Sequence, residues 1–166
     1  MIEKAGSGHI GTSFTSIDLI SWIMLNEINL EKLASKNTER DIFFSSKGHD
    51  APALYSILTG LGLLDFDNIH KLRRIDGLPG HPDISTPHIE TNTGSLGMGI
   101  SKAKGFVFKN RFLGISPKIF VMIGDGELQE GQIWESLQSA SNDKMNEITV
   151  IIDHNKIQSD TWVSET

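Results

Sequence analysis

The sequence contains no cysteine, and none of its apolar runs is long enough to cross a membrane. Without cysteine, a disulfide framework and thiol chemistry are both excluded. A membrane-spanning helix needs about 20 consecutive apolar residues, and no such run occurs. The opening residues, MIEKAGSG, also lack the apolar segment of a signal peptide. These absences predict a cytoplasmic protein that has no membrane partner.

Positive charge is scarce as well. The chain has 15 lysines and arginines against 21 aspartates and glutamates, which gives a formal net charge of −6. A surface of this sign does not favour a nucleic-acid partner. Apolar residues form 38% and charged residues 22% of the 166 positions, as in soluble globular proteins. Length and composition therefore predict a single globular domain over residues 1–166, and an enzyme domain is the default expectation.

The segment Ile119–Asp160 has the pattern of a β-α-β unit. Ile119–Ile123 and Thr149–Ile152 are short apolar runs typical of buried strands, and Gln129–Met145 between them has apolar residues near helical spacing. Two strands joined in this way run parallel, with a right-handed crossover. A third predicted strand covers Asp41–Ser45. We therefore expect an α/β fold with an open, mostly parallel sheet flanked by helices.

Polar residues follow both strands of this unit. Asp125 stands between Gly124 and Gly126, and Asn155 follows 30 positions later. Because the carboxyl ends of parallel strands share the edge at which open α/β sheets bind ligands, the two side chains should lie together. Their oxygens suit Mg²⁺ or Ca²⁺, and Mg²⁺ keeps positions open for water and phosphate. The spacing predicts a metal-bridged diphosphate site, and a plain crossover with polar strand ends is the alternative.

Three of the six histidines follow a glycine: His9, His49 and His81. Their separations of 40 and 32 positions exclude a local zinc motif. His81 lies in a long predicted loop, Gly77–Thr93, and loops of this length within a domain are usually functional. A Gly-His turn can direct an imidazole into a cleft, whereas three ordinary surface turns are the alternative.

The helices before and after this loop carry two further patterns. Ser16–Glu27 is apolar nearly all round, which predicts burial in a core or an interface. Gly97, Ser101 and Gly105 form a stripe of small residues on a helix that is predicted to run from about Gly94 to Phe112. Such a stripe permits close helix packing, within the chain or across a dimer.

The string GDGELQEGQIWES, followed later by DHNKI, resembles the thiamine-diphosphate motif and in particular the N-terminal, diphosphate-binding domain of transketolase. The resemblance implies thiamine diphosphate as cofactor, anchored through Mg²⁺ or Ca²⁺. By the same resemblance, the metal ligands are Asp125, Asn155 and the main-chain carbonyl of Ile157. Gly126 would contact the diphosphate through its backbone, and Asp153 would face the cofactor.

Glutamates of the same string also have counterparts in the family. Glu130 and Glu135 match two glutamates near the dimer interface, and Glu130 is counted among the cofactor-binding residues. A carboxylate that complements a helix dipole is the alternative for both.

The three Gly-His pairs resemble family segments too. SGHIG, SKGHDAPALY and LPGHPD are similar to segments whose histidines line the substrate channel of transketolases. The resemblance implies that His9, His49 and His81 are catalytic: they would form hydrogen bonds with sugar hydroxyls and assist proton transfer. His49 would also meet the cofactor.

The string TGSLGMG resembles a family loop that packs on the cofactor, which implies that Gly94, Leu96 and Gly97 are cofactor-binding. Ser95 and Met98 replace the proline and glutamine that are usual in this loop. Ile10 likewise stands where proline is common. These departures bear on substrate choice more than on cofactor binding.

The resemblance implies transfer of a two-carbon ketol unit between a ketose and an aldose, with sugar phosphates as expected substrates. The pyrimidine-binding half would come from a C-terminal domain or subunit, in a homodimer or heterotetramer, and the domain is expected to be truncated at its C-terminus. Two alternatives stay open. One is another thiamine-diphosphate enzyme, such as a 1-deoxyxylulose-5-phosphate synthase or a ketol transferase for an unusual sugar. The other is a non-catalytic fragment or scaffold subunit.

Overall fold

A computed structural model of the chain describes residues 1–158 and 161–165, and these form an α/β structure. The α-helices are α1 (Ile2–Ala5), α2 (Ile10–Asn26), α3 (Leu30–Ala34), α4 (Ala51–Gly60), α5 (Gly99–Phe112) and α6 (Gly131–Asn142). The strands are β1 (Ile42–Ser45), β2 (Ile119–Gly124), β3 (Ile148–Asp153), β4 (Ile157–Gln158) and β5 (Thr161–Trp162). Short 3₁₀ turns cover Phe66–His70, Gly126–Gln129 and Val163–Glu165. In this part of the chain no helix is both long and apolar enough to span a bilayer.

The main sheet has the order β1-β2-β3, and both strand pairs are parallel. Ile119 of β2 pairs with Ile42 of β1 and with Ile148 of β3. This arrangement confirms the predicted parallel sheet and its three strands. All three carboxyl ends therefore lie at one edge, from which the GDG turn, the SKGH turn and the DHN segment continue.

Two apolar cores cover the two faces of this sheet, because successive strand residues point to opposite sides. Phe43 and Phe120 belong to the core that includes α2 and α4, whereas Phe44 and Val121 belong to the core that includes α5 and α6. Burial on both faces accounts for the nearly continuous apolar character of β2.

Helix α2 begins earlier than its sequence predicts. The expected start at Ser16 is wrong, since the helix begins at Ile10 with His9 as N-cap. The Ser13 hydroxyl donates to the carbonyl of His9 at 2.7 Å. The glycine-flanked residues that looked like a turn therefore form the first helical turn.

The face of α2 that packs on the sheet is narrower than expected. Ile20 and Ile23 are buried, but Phe14, Trp22 and Leu25 are 70%, 56% and 62% exposed in the single chain. Of the two predicted alternatives, burial in the core of this chain holds only for the side of α2 that carries residues such as Ile20 and Ile23. Burial of the exposed apolar side in an interface with another molecule stays a prediction.

The small-residue stripe packs mainly within the chain. A Cβ atom placed on Gly97 would lie 3.0 Å from Cβ of Glu130, and the hydroxyls of Ser101 and Ser136 are 2.7 Å apart. Gly105 faces open space. Gly97 thus brings the segment before α5 close to the N-cap of α6, and Ser101 brings α5 itself close to α6. The helix itself begins at Gly99 instead of Gly94.

Candidate functional site

The GDG turn and the DHN segment meet at the carboxyl edge of β2 and β3. Gly124 pairs with Asp153, and the amide of Asp125 reaches the carbonyl of Asp153 at 3.3 Å. The carboxylate of Asp125 accepts hydrogen bonds from the amides of Gly126 at 2.9 Å and Lys156 at 2.6 Å. The two segments that carry the predicted metal ligands are therefore joined through Asp125.

The surroundings of Asp125 fit a divalent cation. Its side chain is only 6% exposed, and among the residues that the structure describes the one basic side chain within 4.0 Å is that of His154, at that limiting distance. A buried carboxylate with amide partners alone lacks a full countercharge. Each of its oxygens keeps a lone pair beyond the one used by an amide. Asn155 precedes Lys156, the residue whose amide reaches Asp125, and its Oδ1, which accepts from the amide of Ile157 at 3.0 Å, is a second hard oxygen.

The histidines of the three Gly-His pairs converge beside this edge. The rings of His9 and His49 have centroids 5.0 Å apart. Burial lowers the pKa of His49 and also that of His81, so both imidazoles are neutral near pH 7. Nδ1 of His49 lies 3.1 Å from the carbonyl of Lys47. Because a carbonyl only accepts, Nδ1 carries the hydrogen and Nε2 is left as an acceptor.

Two glycines allow the three loops to come together. Gly48 has a φ of 69°, and a Cβ atom there would lie 2.7 Å from the amide nitrogen of Gly94. Gly94 has a φ of 109°, and a Cβ atom there would lie 2.7 Å from Cδ2 of the His81 ring. Any larger residue would be strained at either position and would separate the SKGH turn, the TGSLG loop and the PGH loop.

Glu127 joins the parts of the site, although the sequence did not single it out. Its side chain is buried, and its oxygens accept hydrogen bonds from the Ser46 hydroxyl, from the Gly97 amide at 2.8 Å and from the Gly124 amide at 3.2 Å. These donors belong to the ends of β1 and β2 and to the TGSLG loop. Burial raises the pKa of Glu127, and the three donors oppose that shift.

We expect Glu127→Ala to lower the free energy of unfolding by about 3 kcal/mol, because several donors would lose their acceptor and each costs about 1–3 kcal/mol when left unsatisfied. Denaturant unfolding monitored by circular dichroism measures this. The matched control is Glu135→Ala, which removes an exposed carboxylate of α6 and should change stability by less than about 0.5 kcal/mol. Equal effects of the two substitutions would contradict the bridging role.

Lys47 is a second residue of the site that was not predicted from the sequence. It follows β1 and is 1% exposed. Its ammonium donates to Asp153 Oδ2 at 2.5 Å and to the hydroxyls of Thr12 and Ser16, each at 2.8 Å. Asp153 Oδ2 also accepts from the Thr15 hydroxyl at 2.7 Å. These contacts attach Asp153 to α2, and its role toward a cofactor stays a prediction.

The whole chain, residues 1–166, matches the family model described as "Transketolase, thiamine diphosphate binding domain". The chain belongs to the transketolase family. This transketolase-family domain is 36% identical over 158 residues to one subunit of the apulose-4-phosphate transketolase from Actinobacillus succinogenes, covering 94% of this chain and 57% of that protein. It is 34% identical over 166 residues to one subunit of the 6-deoxy-6-sulfo-D-fructose transketolase from Clostridium, covering 99% of this chain and 60% of that protein.

Full-length transketolases are similar over the same region. Human transketolase is 33% identical over 159 residues, which cover 94% of this chain and 26% of the human protein. The structure of transketolase from Leishmania mexicana matches with a TM-score of 0.80 and 29% identity, covering 95% of this chain and 25% of that one. The chain thus spans little more than half of the subunit relatives and about a quarter of the full-length ones.

Other predicted site residues of this transketolase-family domain are exposed or lie outside the main sheet. Leu96 is 41% exposed, and Glu130 and Glu135 are exposed on the side of the GDG turn and α6. Ile157 pairs with Trp162 in the small antiparallel sheet of β4 and β5. Their contacts with a cofactor, a metal or a second protomer stay predictions.

Proposed function

We propose that this chain is the diphosphate half of a transketolase-type enzyme, which transfers a two-carbon ketol unit from a ketose to an aldose. The observation that carries the proposal is the convergence of two features at one sheet edge. One is the pair of segments that hold Asp125 and Asn155, and the other is the group formed by His9, His49 and His81. A diphosphate anchor beside imidazoles, of which those of His49 and His81 are neutral near pH 7, suits cofactor-dependent ketol transfer.

The proposed anchor is Mg²⁺ held by Asp125, Asn155 and the main-chain carbonyl of Ile157. When bound, thiamine diphosphate supplies the nucleophilic carbon and the electron sink for breaking and forming the carbon–carbon bond. Gly126, with no side chain, lets the backbone approach the diphosphate closely. The chain itself would orient these groups, and the carboxylate of Asp125 would balance part of the metal's charge.

The histidines are proposed to handle protons on the sugar. With Nδ1 of His49 held by the carbonyl of Lys47, its free Nε2 can accept a proton from a hydroxyl. His9 stands beside it, and His81, packed on Gly94, would bond a further hydroxyl. The neutral state of His49 and His81 near pH 7, which follows from their lowered pKa values, suits these two rings to accept protons and hydrogen bonds there.

The proposed substrates are anionic sugars. The printed names of the subunit relatives refer to apulose-4-phosphate and to 6-deoxy-6-sulfo-D-fructose, a phosphorylated and a sulfonated sugar. We infer a ketose with a phosphate or sulfonate group for this chain too, and hence a place in carbohydrate metabolism. The proposed partner is a second subunit or domain with the pyrimidine-binding half, and the assembly is a dimer or heterotetramer in the cytoplasm.

A product assay tests this proposal. The chain together with its partner, Mg²⁺ and thiamine diphosphate is incubated with xylulose 5-phosphate or a sulfonated ketose and a panel of aldehydes. Transfer of two carbons to the aldehyde, with matching release of the shortened aldose, is the expected result. Cofactor binding with no transfer to any acceptor would contradict it and favour a non-catalytic role.

We expect His81→Ala and His9→Ala to lower kcat/KM by about a hundredfold, the lower range for a lost acid–base group, while the affinity for thiamine diphosphate is kept. The physical reason is that these rings are proposed to meet the sugar and not the diphosphate. Steady-state kinetics and isothermal titration of the assembled enzyme separate the two effects. His70→Ala is the control, because His70 is exposed on a 3₁₀ turn and should change neither value. Loss of cofactor affinity with unchanged kcat in His81→Ala would contradict the assignment.

A further inference from the structure

Lys47 is buried at the centre of a closed polar cluster beneath the site. Its ammonium has three N–H groups, and three acceptors lie within hydrogen-bond distance: Thr12 Oγ1, Ser16 Oγ and Asp153 Oδ2. A second carboxylate, Asp50, lies 3.7 Å from the ammonium and is fully buried. The cluster therefore satisfies the donors of Lys47 completely and holds two carboxylates against one cation.

Stability alone is a weak reason for such a cluster. Removing an ammonium and a carboxylate from water costs several kcal/mol for each ion, and apolar residues of similar volume are often as stable or more so. Oδ1 of Asp50 also has no hydrogen-bond partner among the described residues. A better reason for the cluster is that its hydrogen bonds fix the positions of the segments that carry its members.

The segments joined by Lys47 are the ones that carry both halves of the site. Asp153 stands two residues before Asn155, and Lys47 stands two residues before His49. Thr12 and Ser16 lie one turn apart on α2, whose N-cap is His9. A Cβ atom on Gly124, the residue before Asp125, would lie 3.6 Å from Cδ of Lys47, so the lysine stem runs beneath the GDG turn.

We propose that Lys47 is a positioning residue that sets the place of the metal-binding segment relative to the histidines. It acts through Asp153: by fixing this carboxylate against α2, it holds the backbone that leads to Asn155 and to the amide of Lys156. That amide in turn bonds Asp125 at 2.6 Å. Lys47 touches neither substrate nor cofactor in this role, and the inference rests on the proposed function of the site.

The first test needs no cofactor. In Lys47→Met, amide hydrogen exchange of the segment 153–158 should become about tenfold faster, because Asp153 loses its cation and the bond from Lys156 to Asp125 is no longer supported. The control is Leu58→Ala, which opens the core near the far end of α4 and destabilises by about 2–5 kcal/mol. After correction for the difference in global stability between Leu58→Ala and the wild type, amide exchange of the segment 153–158 should be close to equal in these two proteins. Equal exchange of the segment in both variants would reduce Lys47 to a structural role and overturn the proposal.

The second test measures metal affinity in the assembled protein, under conditions in which all variants are folded. Titration with Mg²⁺ in the presence of thiamine diphosphate should give an affinity about tenfold weaker for Lys47→Met, the lower range for groups that orient metal ligands, and an unchanged affinity for Leu58→Ala. Wild-type affinity in Lys47→Met would overturn the positioning role while leaving the proposed function intact. A wild-type protein that binds no Mg²⁺ with thiamine diphosphate would instead overturn the proposed function.

Discussion

Replacement of Asp125 by alanine is expected to abolish Mg²⁺-dependent binding of thiamine diphosphate to the assembled enzyme. Asp125 is the one carboxylate in the proposed ligand set, so its loss leaves the diphosphate charge poorly compensated. It would also remove the acceptor for the amides of Gly126 and Lys156, which join the two ligand-bearing segments. Asn155→Ala should have the same effect through the loss of a second ligand.

Isothermal titration with thiamine diphosphate at fixed Mg²⁺ measures this loss directly. Asp143→Ala serves as the matched control, because Asp143 is an exposed carboxylate at the end of α6 and should leave binding unchanged. Circular dichroism establishes that each variant is folded before titration. Near-normal cofactor affinity in both Asp125→Ala and Asn155→Ala would contradict the assignment of these two residues as metal ligands.

The second large effect concerns the partner: the purified 166-residue chain is expected to show no ketol transfer by itself. Two of its relatives are named as single subunits of transketolases, and the chain spans 57% and 60% of their lengths. On one side of α2, Phe14, Trp22 and Leu25 stay exposed in the single chain. An uncovered apolar face of this kind favours association with another molecule.

Light scattering of the isolated chain should therefore show oligomers, and the ketol-transfer assay should stay blank. Addition of the partner that carries the pyrimidine-binding half to a longer form of the chain should restore activity. As a control, Trp22→Ser should reduce the oligomers without unfolding the chain, since this side chain is 56% exposed. Turnover by the purified 166-residue chain without any partner would overturn the expectation.

The sheet was predictable from the sequence because β1 and β2 are buried on both faces and β3, although partly exposed in the single chain, is also a nearly continuous apolar run. Such strands read as continuous apolar runs, and the predicted bounds differ from those of β1, β2 and β3 by one residue at most at either end. The placement of Asp125 at the edge followed from the same pattern.

Two of the buried charged residues, Lys47 and Glu127, were not predictable as parts of the site, for different physical reasons. Lys47 stands between Ser46 and Gly48, where a lysine reads as part of a solvated turn, and only the fold brings Asp153 to it across 106 positions. Glu127 lies in the first turn after GDG, where a carboxylate has a ready local explanation as a partner of the helix dipole. Side chains whose partners are distant in sequence leave no local signal.

The early start of α2 had a similar cause. Its first turns carry Thr12, Ser13 and Ser16, polar residues that give no apolar helical pattern, yet all three are buried. Two of them face the ammonium of Lys47, so hydroxyls replace the apolar residues that would otherwise mark a helix packed on the core.

The strand pairing also has a consequence for the order in which the chain folds. Ile119 and its partner Ile148 are separated by 29 positions, whereas Ile42 and its partner Ile119 are separated by 77. Since the entropic cost of closing a loop grows with its length, pairing of β2 with β3 through α6 is the easier nucleus. The part that carries Asp125 and Asn155 can thus assemble early, from one β-α-β unit, while the histidine turn after β1 joins only after the long closure. Substitutions in β1 should accordingly act mainly on the unfolding rate, and those in β2 on the folding rate.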